Sequence, residues 1–206
     1  MRINVKTFIG VAILEFVIAI LIGVGLSAAV GFRVFTPLLI TSIAEKTSMV
    51  TLAEGFTWIG STPALVAFLV ATILEIGGSY IPIVDQLLKM LATPVAIIAG
   101  ILLTASFIGD MEPLLTWSIA IIAGGSTASV SQITTASIKG TSTIATGGIG
   151  NIFISLGEGI IAVVMSLVSI MVPFLALFFV ILLFIIFVFV LIRVRKVFPK
   201  RKTVNI

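Results

Sequence analysis

Glu75 and Glu158 carry the chemistry this sequence most needs to explain. Each stands inside an apolar run, in TILE at 72–75 and in SLGE at 155–158. Glu158 is the only charge between Lys139 and Arg193, and none lies between Glu54 and Glu75. A charged side chain at a bilayer centre costs about 3 kcal/mol to insert, so such groups face the protein interior and tend to serve binding or proton transfer. Two carboxylates in a poorly hydrated space do not both ionise cheaply, so a shared proton or cation is expected. The plainer alternative is a carboxyl that only joins two helices. The chain has no Cys and no His. That removes thiolates, imidazole ligands and the commonest general base. No Ser–Lys constellation stands out, so an enzyme is not expected. No cofactor is expected, and the sequence leaves metal binding open.

The stretch GGSTASVSQITTASIKG, residues 124–140, holds eight Ser, Thr or Gln in a chain that is 60% hydrophobic. Ser126, Thr127, Ser129 and Gln132, with Asn151 from TGGIGN at 146–151, are candidates to line a polar cavity. Hydroxyls also serve close helix packing by bonding their own helix, which is the competing reading of each one. Arg33 and Lys139 are candidate counter-charges for Glu75 and Glu158. Asp85, in YIPIVDQLLK, either caps a helix start or joins the site. Glu15 lies a third of the way into its apolar run and is expected near the membrane surface.

The elements that position these residues must be membrane helices. The chain has 206 residues with a mean hydropathy of +1.36 and only 10% charged residues, against about a quarter in soluble domains. Spans of about 20 apolar residues fall near 8–30, 61–80, 91–108, 114–131, 149–171 and 174–193. Residues 33–46 and 132–146 are too short to cross and are expected to be re-entrant or interfacial. The first apolar run is too long, and too interrupted by Glu15, for a cleaved signal.

Six of the basic residues follow the last span, from Arg193 to Lys202, and Arg2 and Lys6 precede the first. The positive-inside rule then puts both termini in the cytoplasm of a plasma-membrane protein, with the acidic 109–113 connection outside. Arg33 and Lys46 oppose that rule unless 33–46 dips back. The basic tail, 194–206, reads as an anchor at an anionic leaflet rather than a nucleic-acid patch.

Three ordered matches relate the halves. GLSAAVGFR from Gly25 lies opposite GSTASVSQI from Gly125, the two Glu motifs face each other, and the apolar run after Pro94 matches that after Pro173. They predict one membrane domain of two three-helix repeats, about 8–108 and 114–193. An odd number of spans inverts the second copy, the usual architecture of secondary transporters with a midplane site.

GFRVFTPLL at 31–39, FTWIGSTPAL at 56–65, LEIGGSYIPIVDQLL at 74–88 and GGIGNIFISLGEG at 147–159 together resemble a bacterial membrane family known as domain of unknown function four-one-two-six. The resemblance covers about residues 20–175. It implies a multi-span membrane domain and brings no established activity. Its relatives often carry His and Lys where this chain has Gln132 and Thr135, which implies that a proton relay through those positions is not needed here. Glu75-Ile-Gly-Gly78 also resembles the E-x-G-D motif of cation/proton exchangers, departing from it at Gly78.

The expected function is a small transporter of a cation or small polar solute, proton-coupled through the carboxylates. A channel and a structural or assembly protein are the alternatives. The expected partners are the bilayer and the ion or solute, not nucleic acid. A homo-oligomer is compatible with the sequence.

Overall fold

Proline opens four of the helices. Pro63, Pro82, Pro113 and Pro173 each sit in a first turn, where the missing N–H is unneeded and the fixed φ suits the helix. Ser61 caps the helix before Pro63, accepting from the Ala64 N–H at 3.3 Å. Gly147, at φ 62°, ends the Ser/Thr-rich helix in the left-handed conformation that glycine adopts freely.

The computed structural model describes residues 5–109, 111–147 and 149–197, apart from the side chains at 5–8, 82, 83, 85–87, 89, 90 and 193–197. The helices are α1 (Val5–Val30), α2 (Phe35–Lys46), α3 (Thr62–Gly78), α4 (Pro82–Ile108), α5 (Pro113–Ile119), α6 (Ser126–Thr146), α7 (Gly150–Met171) and α8 (Pro173–Val197). A 3-10 segment, Glu54–Gly60, precedes α3, and a π-helical turn, Ala120–Gly125, joins α5 to α6. Five helical stretches are long and apolar enough to cross a membrane. A sixth arises if Glu54–Gly60 and Thr62–Gly78, bent by 59°, form one span. The chain is an all-α polytopic membrane protein.

Residues 132–146 are not a separate re-entrant piece. Pro113–Thr146 is one 34-residue helical stretch interrupted only by the π turn. The hydroxyls do not break it because they bond back to its own carbonyls. Ser129, Thr134, Ser137 and Thr141 each donate to the carbonyl four residues earlier, at 2.7–2.9 Å. Residues 35–46 do form a short helix of their own, and half of it is buried.

Small residues let α1 run down the centre. A methyl group added at Gly23 would lie 2.8 Å from Thr104 Cα, and one at Gly100 would lie 2.7 Å from Ala128 Cβ. Ser27 Oγ sits 2.7 Å from the Gly100 carbonyl oxygen and 2.8 Å from Thr104 Oγ1. The apolar core, with Leu26, Val30, Ala96 and Leu103, continues this seam.

These contacts fix directions. Thr104 meets Gly23, and Gly100 meets Ser27, so α4 is antiparallel to α1. Gly124 meets Thr104 and Ala128 meets Gly100, so α6 is antiparallel to α4. Hence α1 and α6 run the same way. An inverted copy requires the spans beginning near 8 and 114 to run in opposite directions, so their match is not an inversion. The reason lies in α2. It carries the chain back far enough for the Ala53 N–H to bond the Ser106 carbonyl, at 2.9 Å, near the end of α4. α3 then runs parallel to α1, reaching Val34 again with Glu75. α7 returns, with Ser155 at Arg33 and Ser169 at Gly25. α8 starts beside Gly25, where Ala176 lies. The short extra traverse leaves the start of α1 and the end of α8 at opposite ends of the bundle. Six full spans would instead put these two helix ends on one side; the two termini themselves lie outside the described residues.

Candidate functional site

Where α1 ends and α2 begins, the chain turns through Gly31–Val34 and leaves the first N–H groups of α2 without helical partners. Glu75 supplies the acceptors. Its Oε1 accepts from Val34 N at 2.8 Å and its Oε2 from Phe35 N at 3.1 Å. A carboxylate at a helix N-terminus is favoured by both hydrogen bonding and the helix dipole. The neighbouring Arg33 is buried. Its guanidinium donates to the Glu75 carbonyl at 3.1 Å, Ser79 Oγ at 3.3 Å and the Ser155 carbonyl at 3.0 Å. One side chain thus ties α1, α3 and α7 together.

Glu158 faces the same place from α7. It is 5% exposed, and its Oε2 lies 2.6 Å from Lys139 Nζ on α6. Ser155 and Glu158 are both buried, on one face of α7, as the three-residue spacing requires.

These groups surround a cavity of about 450 Å³. Arg33, Glu75, Lys139 and Glu158 line it, with Ser79, Gln132, Thr135 and Thr143. Phe32, Phe35, Leu88, Leu91, Ala92 and Val95 form an apolar wall. The four charged side chains give the lining a formal balance of zero. The cavity lies towards the end of the bundle where α3 meets α4 and α6 meets α7. Glu75 is three residues, or roughly 5 Å at 1.5 Å per residue, from the end of α3.

Of the candidates read from the sequence, the fold brings Glu75, Glu158, Arg33, Lys139 and Gln132 to this cavity. Ser126, Thr127, Ser129 and Asn151 are not in its lining. Ser126 is exposed and bonds the Ile122 carbonyl, and Ser129 bonds that of Gly125 at 2.7 Å. Thr127 is buried among the packed helices. Asn151 Nδ2 donates to Thr143 Oγ1 at 2.7 Å, one step beyond the lining. Ile81 is the N-cap of α4, so Asp85 is not that cap; its side chain lies outside the described residues. Glu15 is exposed, and so are residues 9–14 around it. Sequence reasoning overlooked Ser79, Thr143 and the apolar wall. Ser79 had a local signal in GGSY after Glu75; the wall had none, since its residues match any other membrane-helix face. Among the described residues, no three Asp, Glu, His or Cys side chains gather to hold a metal.

No curated protein and no solved structure matches the chain. A family model covers residues 20–193, from the middle of α1 to the last turns of α8, and so contains every group lining the cavity. The chain therefore belongs to the family described as Domain of unknown function (DUF4126).

Proposed function

We propose that this protein is a small membrane transporter and that the cavity beside Glu75 and Glu158 is its binding site for a small polar solute. One observation carries the reading: a cavity of about 450 Å³ lined by four charged side chains, inside a chain that has few charges elsewhere in its helices. Cavities of a few hundred Å³ with a few convergent polar groups are the usual form of small-molecule sites. A bare cation fits less well, because both carboxylates already have donors. The plasma membrane is the proposed location. The end of the bundle that holds the cavity is also where α8 ends, and the six basic residues cluster in sequence from Arg193 to Lys202, so the positive-inside rule faces that end to the cytoplasm. The opposite end, with the acidic 109–113 connection, faces outwards.

The test is counterflow in proteoliposomes holding the purified chain, with labelled carboxylates, amines and amino acids offered one at a time. The double variant Lys139→Met/Glu158→Gln, with its melting point recorded in parallel, should keep the fold and lose the flux. Absence of flux for every solute would favour a second reading, in which the polar groups only join helices. The capping of α2 by Glu75 and the triple bonding of Arg33 are the observations that favour it.

A further inference from the structure

The cavity has two unlike sides. α4 gives it Leu88, Leu91 and Val95, and the α1–α2 corner adds Phe32 and Phe35. Polar groups come mainly from α3, α6 and α7, with Arg33 from the α1–α2 corner and Thr93 from α4. A dehydrated inorganic cation wants oxygen ligands on all sides, and the hydrocarbon of Phe32, Phe35, Leu88, Leu91 and Val95 cannot supply them. An organic molecule with a polar head and an apolar body matches both sides at once.

The available charge then selects the head group. Both Glu75 oxygens are taken by the N–H groups of Val34 and Phe35. The Arg33 guanidinium gives Nη1 and Nη2 to two carbonyls and Ser79, and its remaining Nε is buried out of a solute's reach. Glu158 is 5% exposed, whereas Lys139 is 15% exposed. An ammonium has three donors, and the described acceptor for this one is Glu158 Oε2. Lys139 also rides on a flexible stem beside Gly140 and Thr143, which are exposed at the cavity rim. Of the four charged groups, the one with donors left and the readier access is therefore the Lys139 ammonium.

Building on the transporter reading above, we infer that the solute is a small amphiphilic carboxylate: its head accepts from Lys139, and its body of a few carbons lies on Phe32, Phe35 and Leu91. No bond is made or broken in this step. The carboxylate shares the ammonium with Glu158, and Gln132, two turns earlier on α6, lines the same cavity.

Thermal unfolding of the purified full chain in nanodiscs tests this with probes of equal length and different heads: hexanoate, hexylammonium and hexanol. Acetate and butanoate vary the body. Hexanoate should raise the midpoint, and hexylammonium and hexanol should not. Apparent affinity should rise about fourfold per added CH2, the worth of about 0.8 kcal/mol for each one buried. The double variant Lys139→Met/Glu158→Gln, which leaves no lone charge behind, should abolish the hexanoate shift. Leu91→Ser, at an exposed rim position, should flatten the dependence on chain length. A shift with hexylammonium instead of hexanoate overturns the choice of head. Equal shifts with acetate and hexanoate overturn the apolar body, and an unchanged hexanoate shift in the double variant overturns the site. Hexanoate binding without counterflow of any solute would remove the transporter reading and leave this inference standing. Counterflow of another solute that hexanoate does not inhibit would do the reverse.

Discussion

Replacing Glu75 tests whether the carboxylate that invites a transport role also holds the fold. Its two oxygens satisfy the N–H groups of Val34 and Phe35, at 2.8 and 3.1 Å, where α2 begins. A hydrogen bond to a charged acceptor is worth about 1.5–3 kcal/mol, and a buried N–H left unmet costs about 1–3 kcal/mol. Two such bonds set an upper range of about 3–6 kcal/mol for Glu75→Ala. Water entering the adjoining cavity would recover part of this, so the expected loss is about 3 kcal/mol. Glu75→Gln keeps one acceptor oxygen but turns an amide donor towards the second N–H. Its expected loss is about 2 kcal/mol. At about 2–4 °C per kcal/mol for a chain of this size, the alanine variant should melt roughly 6–12 °C below the parent and the glutamine variant roughly 4–8 °C below. Circular dichroism melts in one detergent, with Leu74→Ala on the lipid-facing side as a control, give the comparison. Leu74 is 65% exposed and should shift little. If Glu75→Ala melts within a degree of the control, the carboxylate does not secure α2.

Three further outcomes follow from the same geometry. Lys139→Met alone removes the bridge to buried Glu158 and should cost about 3–5 kcal/mol, while the matched pair Lys139→Met/Glu158→Met should recover most of that loss in a double-mutant cycle of melting midpoints. Gly100→Leu forces a side chain into Ala128, where even a methyl group would approach to 2.7 Å, so it should abolish stable protein in detergent chromatography, whereas Gly77→Leu, which meets nothing within 4 Å, should elute as the parent does. Single cysteines in this Cys-free chain at Asn4, Met111 and Thr203 should react with an impermeant maleimide on intact cells at Asn4 and Met111 but not at Thr203; labelling of Thr203→Cys would reverse the proposed orientation.

The sequence by itself determined the class of protein and much of its polar inventory. A 60% hydrophobic chain with 10% charge has no way to cover a water-facing surface, and hydrophobic length marks membrane helices without any tertiary information. Glu158 was legible for a related reason. A lone carboxylate in an apolar run is costly enough to be placed inwards, and Lys139 is the nearest preceding cation. The tertiary structure alone decided how these parts meet. Whether Arg33 answers the Glu75 carboxylate or its backbone carbonyl depends on distances between helices 42 residues apart in sequence, and the fold chose the carbonyl. The direction of α3 turned on α2, a 12-residue helix too short for any hydropathy count to register as a traverse. That single return undid the inversion that span counting implied. The Ser/Thr stretch shows the same limit at the level of one side chain. A hydroxyl that bonds its own helix and one that faces a cavity have the same sequence signature. Only packing separated Ser129, turned back to Gly125, from Thr135, which reaches both the cavity and the Gly31 carbonyl at 3.3 Å.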